Sequence, residues 1–149
     1  MMKIDEIIKA NFKSPQQKVI VNLRYTANYF SNSQNIFMSE FDLTMPQFNI
    51  LRILRGAKKA LNVNSIKERM VEKSPNLTRI MDKLVAKKLI NRFHCLEDRR
   101  SVYVEINKLG LDLLDKIDLK LGEANLFPNS LTDEEAEQLS FLLDKMRDI

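Results

Sequence analysis

Asn76, Thr78, Arg79 and Lys83 fall close together in the chain, and Arg99 and Arg100 stand side by side further along. An amide or hydroxyl both donates and accepts hydrogen bonds, and a guanidinium is a planar, donor-only fork; together they suit the edges of nucleobases and the oxygens of phosphates. The charge pattern agrees. Residues 73–100 hold eight bases (Lys73, Arg79, Lys83, Lys87, Lys88, Arg92, Arg99, Arg100) against three acids (Asp82, Glu97, Asp98), a local net charge of +5 in a chain whose overall charge is +4. From Asn107 to Ile149 five bases face ten acids, a net −5 that phosphates would repel. The two segments therefore call for different partners.

Catalysis has little to work with. His94 and Cys95 are sequence neighbours on a predicted strand, so their side chains point to opposite faces and form neither a catalytic couple nor a chelate. A single cysteine excludes an intrachain disulfide and a cysteine-based zinc cluster, which fits a reducing compartment. No glycine-rich phosphate loop and no spaced metal ligands are found, so neither a cofactor nor a metal is expected. Cys95 shares its strand face with Phe93, which favours an inert core thiol over a redox sensor. His94 reads as structural or as a phosphate neighbour.

The elements that must hold these residues are mostly helical. At 149 residues the chain suits one domain, 1–149, and its few glycines and prolines favour ordered helix. Ser14-Pro15-Gln16-Gln17 starts a helix with Val19, Leu23, Ala27 and Phe30 as one stripe suited to a partner helix; residues before it add a short helical arm. Thr44-Met45-Pro46-Gln47 starts a second, closed by Gly56, and Asn62 caps a third ending near Met70. Ser74-Pro75 opens a fourth, running to Leu89, with Leu77, Ile80, Met81, Leu84 and Val85 inward and Asn76, Thr78, Arg79, Asp82 and Lys83 toward solvent. Val102–Ile106 alternates as a half-buried strand with Ile90–Cys95 as its antiparallel partner, in a hairpin whose tip carries Arg99 and Arg100. Asn107 caps a long helix, and Thr132-Asp133-Glu134-Glu135 caps a last one lined by Ala136, Leu139, Leu142, Leu143 and Met146.

Two short helices, a basic polar-faced helix and an arginine-tipped hairpin describe a winged helix-turn-helix: mainly α with a small β-hairpin wing and about six helices. The major groove admits one α-helix, and an arginine at a hairpin tip fits the narrow minor groove, where negative potential concentrates. From about Ser14 to Met146 the chain resembles the MarR (multiple antibiotic resistance regulator) family. The resemblance is carried by Ser74-Pro75-Asn76-Leu77-Thr78-Arg79-Ile80-Met81-Asp82-Lys83-Leu84, by Asp98-Arg99-Arg100-Ser101, and by Ile106-Asn107-Lys108-Leu109-Gly110, where Asn107 replaces the usual threonine cap. Val71 and Lys88 stand where family members often carry glycine.

The resemblance implies a homodimer joined through helices in 14–40 and 107–149, with 44–106 as the DNA-binding lobe. It implies contacts to double-stranded DNA from Ser74, Asn76, Thr78, Arg79, Lys83, Arg99 and Arg100, with Arg99 in the minor groove. Asp98, paired with Arg100, braces the wing, with Arg92 in the same role. Tyr25, Tyr29 and Phe48 are the candidates for a pocket taking a small aromatic or phenolic effector, against the plainer reading of core aromatics. The function implied is a cytoplasmic, sequence-specific repressor on a pseudo-palindromic operator, released by a ligand. No apolar run is long enough for a membrane span, and the amino terminus lacks a secretory hydrophobic core. Two other readings stay open: a winged-helix module that binds an acidic protein, and a redox-responsive regulator using Cys95.

Overall fold

Local capping chemistry sets most of the helix starts in the computed structural model, which describes residues 2–72, 76–94, 101–122 and 130–147. Helix α1 (Ile4–Ile8) is the expected amino-terminal arm. Lys18 Nζ donates to Asp5 Oδ1 at 2.8 Å, tying that arm to the next helix and lowering the Asp5 pKa below its ordinary value. Helix α2 (Pro15–Ser39) begins where Ser14 Oγ accepts from the Gln17 amide, with Pro15 in the first turn, where its missing N–H costs nothing.

Helix α3 (Met45–Ala57) starts with a reciprocal capping box between Thr44 and Gln47. It runs through Gly56 and closes instead at Lys58, which takes the left-handed conformation (φ 53°). Asn62 Oδ1 accepts from the Ser65 amide at 2.8 Å to start α4 (Val63–Arg69). Helix α5 (Leu77–Ala86) has Asn76 as its N-cap residue. It is shorter than the expected Ser74–Leu89: Ser74 and Pro75 lie outside the described residues, and Lys88 adopts a left-handed conformation (φ 57°) that ends the helix before Leu89. Lys88 thus occupies a backbone position to which glycine is better suited.

Three strands follow a pattern only partly anticipated. β2 (Ile90–His94) and β3 (Val102–Ile106) pair antiparallel as expected, with Ile90 opposite Ile106 and His94 opposite Val102. A third strand, β1 (Leu61–Asn62), pairs with β3 through Leu61–Val104 and Asn62–Tyr103, giving the order β1-β3-β2. Helix α6 (Lys108–Leu121) starts with Asn107 Oδ1 accepting from the Gly110 amide at 3.0 Å, and α7 (Asp133–Arg147) follows a Thr132–Glu135 capping box. Among the described residues the protein is thus mostly helical, seven helices with one small antiparallel sheet.

The core lies between α3, α4, α5, β3 and α6: Ile50, Leu51, Leu54, Ile66, Met81, Leu84, Val104, Leu114 and Ile117 are all essentially inaccessible. Burial of each such side chain is worth roughly 1.5–3 kcal/mol. Phe48, a candidate for an effector pocket, is 3% exposed and belongs to this core. Arg55 reaches across from α3 to Asp118 on α6, Nη1 to Oδ2 at 2.6 Å, and Lys120 pairs with Glu40, so α6 is tied to the helices in front of it.

The terminal helices have uncovered apolar faces. Val19, Ile20 and Leu23 on α2 are exposed, as are Leu139, Phe141, Leu142 and Met146 on α7. No residue of α7 is buried.

Candidate nucleic-acid interface

Helix α5 divides its residues cleanly between core and solvent. Leu77, Met81 and Leu84 recur at three- and four-residue spacing and are buried, which turns the opposite face outward. On or beside that face Asn76, Thr78, Arg79, Asp82 and Lys83 are all exposed. Val85, expected inward, is 38% exposed and Ile80 is half-buried, so the buried stripe is narrower than the sequence pattern suggested.

Salt bridges sort the basic stretch into structural and free cations. Arg92 Nη1 on β2 lies 2.8 Å from Asp82 Oδ1 on α5. Lys87 Nζ lies 2.9 Å from Asp42 Oδ2 and also donates to the Asp42 carbonyl, fastening the end of α5 to the corner between α2 and α3. Arg79 and Lys83 have no carboxylate within salt-bridge distance among the described residues. They are the cations of α5 still open to an external anion.

The Asp82–Arg92 pair was not anticipated. Arg92, expected to brace the wing with Asp98 in the same role, joins β2 to α5 through Asp82, a residue the sequence had placed simply at the solvent face. Exposed pairs of this kind contribute about 0–1 kcal/mol, so its consequence is angular: it sets the wing's first strand relative to the helix. The signal that could have found it is the pattern of α5, in which Asp82 is the lone acid on an otherwise polar or basic face. Asp98, Arg99, Arg100 and Cys95 lie in 95–100, outside the described residues, as does Ser74. Phe93, whose face Cys95 was expected to share in the core, is 42% exposed and stacks on Tyr103 with ring centroids 6.3 Å apart. The argument for a buried thiol therefore loses its support.

The pocket candidates separate. Phe48 is in the core, whereas Tyr25 and Tyr29 are on the outside of α2, Tyr29 at 61% exposure and edge-on to Phe30 at 5.4 Å. The family resemblance grouped the three; in the fold Phe48 belongs to the core while both tyrosines are exposed.

Comparison with known proteins bears on the same segment. The MarR family pattern matches residues 43–102, the stretch that carries α3 through β2 and the approach to β3. A crystal structure of a cysteine-to-serine mutant of Escherichia coli MarR, complexed with operator DNA, superposes with a TM-score of 0.77 over 99% of this chain and 99% of that one, at 23% identity. The chain is similar to the MarR family through this segment.

Two curated relatives extend the MarR likeness. The multiple antibiotic resistance protein MarR of E. coli strain K12 is 29% identical over 114 residues, 75% of this chain and 78% of that protein. The HTH-type transcriptional regulator YfiV of Bacillus subtilis strain 168 is 35% identical over 86 residues, 55% of this chain. The match spans about half of YfiV's length, 53%. At 23% identity the crystal structure speaks for the fold alone, the same winged-helix arrangement. No helix among the described residues is long and apolar enough to cross a membrane.

Proposed function

We propose that this chain is a sequence-specific DNA-binding transcriptional regulator, a repressor that acts as a homodimer on a pseudo-palindromic duplex. The observation that carries the reading is the outward face of α5, where Thr78, Arg79 and Lys83 are exposed and the two cations have no carboxylate partner among the described residues. Asn76 extends that face at the helix start. Arg79 reads base edges, since a guanidinium matches guanine O6 and N7, and Lys83 meets phosphate. Ser74 belongs to the same contact set, and Arg99 and Arg100 complete it from the hairpin tip, with Asp98 bracing that tip.

The uncovered helices support a dimer. An isolated helix of fifteen residues is marginal in water, and α7 buries none of its own residues, so its apolar face needs a cover. That face and the start of α2 border a groove of about 540 Å³ lined by Val19, Ile20, Leu139 and Leu142. A second copy supplies the matching face, with 14–40 and 107–149 as the dimerisation segments and 44–106 as the DNA-binding lobe. The exposed rings of Tyr25 and Tyr29 on α2 support a small aromatic effector acting beside that interface.

Selection from a random pool of duplexes tests the proposal. It should enrich one inverted repeat with half-sites about one helical turn apart, as a twofold dimer requires. A pool that stays random after repeated rounds would exclude sequence-specific regulation and favour an acidic protein as partner of the basic face.

A further inference from the structure

A second cationic feature lies away from the outward face of α5. Helices α3 and α4 border a small cleft of about 260 Å³ lined by Asn49, Arg52, Ile53, Arg69 and Val71. Both arginines are exposed, and neither has a carboxylate within 4 Å among the described residues. Acids are close in sequence, since Glu68 and Glu72 flank Arg69 and the turn, yet neither forms an ion pair with these guanidiniums. Arg52 is held in place by its position over the Phe48 ring, 5.6 Å from the centroid, and Phe48 is itself fixed in the core. Two guanidiniums beside one cleft repel each other unless an anion joins them, and their forked N–H groups match the oxygens of a phosphate. The apolar flanks, Ile53 and Val71, offer that anion no competing charge.

The cleft's place in the helix-turn-helix points to the anion. Arg69 is the last residue of α4, Val71 is in the turn, and Asn76 begins α5. The cleft therefore sits at the turn, toward the same end of α5 that carries Asn76, Thr78 and Arg79. A helix seated in the major groove by that end has the sugar–phosphate backbone beside its turn. We infer that Arg52 and Arg69 clamp a backbone phosphodiester of the bound duplex, a contact that adds affinity and register without reading sequence.

This inference rests on the DNA-binding reading above, and its test separates the two. Binding of a 30-base-pair random-sequence duplex is measured by fluorescence anisotropy across a salt series for the wild type, Arg52→Gln, Arg69→Gln and Lys116→Gln. Lys116, exposed on α6, loses the same charge away from the cleft. Each phosphate neutralised adds about 0.9 to the slope of log K against log salt, so each arginine variant should lose a measurable part of the slope, up to about 0.9, and bind up to roughly eightfold more weakly at 0.1 M salt. Lys116→Gln should keep the wild-type slope. Thermal unfolding monitors the fold; if loss of the contact with Phe48 unfolds Arg52→Gln, Arg69→Gln, at the exposed end of α4, carries the test alone. A steep wild-type slope that the arginine variants retain, or that Lys116→Gln lowers equally, overturns the clamp and leaves the DNA-binding reading intact. A wild type that binds no duplex overturns both.

Discussion

Replacing Arg79 with alanine is expected to weaken binding to the enriched duplex by about 1–3 kcal/mol, the worth of one bidentate base contact, and to bring the affinity for that duplex closer to that for random DNA. The loss should be local. Arg79 is exposed on α5 and makes no salt bridge among the described residues, so its removal leaves the core and the Asp82–Arg92 pair untouched. Thermal unfolding should accordingly match the wild type. Competition titrations with specific and random duplexes measure both effects; unchanged discrimination would remove Arg79 from base reading and leave it at most a phosphate contact.

The second large effect concerns stability and depends on one close approach. Gly110 is buried in the first turn of α6, and a Cβ added there would collide with the Leu89 carbonyl oxygen and lie 2.7 Å from Ile106 Cγ1. The carbonyl is backbone and already accepts from the Asn107 amide, while Asn107 Nδ2 donates to the Lys88 carbonyl at 2.8 Å. Moving α6 away to admit a methyl group would strain both bonds. Alanine is favoured over glycine within a helix by up to about 1 kcal/mol, but overpacking against backbone costs about 1–3 kcal/mol, and the hydrogen bonds add to that. Gly110→Ala should therefore lose about 2 kcal/mol net, read as a lower urea midpoint at unchanged slope. Gly56 supplies the opposite case: it lies inside α3 with nothing within 4 Å of its Cβ position, so the same substitution there should gain about 0.5–1 kcal/mol. Equal midpoints for the two variants would contradict the packing argument.

Features written in neighbouring residues were legible from the sequence. Ser14, Thr44, Asn62 and Asn107 each accept a hydrogen bond from an amide three residues on, so the start of each helix is encoded locally. The β2–β3 hairpin was legible through alternation, because its pairing residues lie close in the chain. Strand β1 was not, since its two residues owe their strand conformation to Tyr103 and Val104, some forty positions away, and Asn62 reads locally as a cap alone. The wider face of α5 was legible as polar, but the pairing of Asp82 with Arg92 depends on where β2 crosses the helix. Phe48 shows the same limit: its spacing permits a pocket or a core, and the packing of α3 decides for the core. The Arg52–Arg69 cleft joins residues from two helices and has no linear motif.

Hydrogen exchange with and without the enriched duplex tests the central claim, that the exposed face of α5 enters the groove. Duplex binding should slow exchange in the 70–86 segment, through the turn and α5, while amides of α7 on the acidic side keep their rates. Protection confined to α7, with 70–86 unchanged at saturating duplex, would contradict the assignment of α5 as the reading helix.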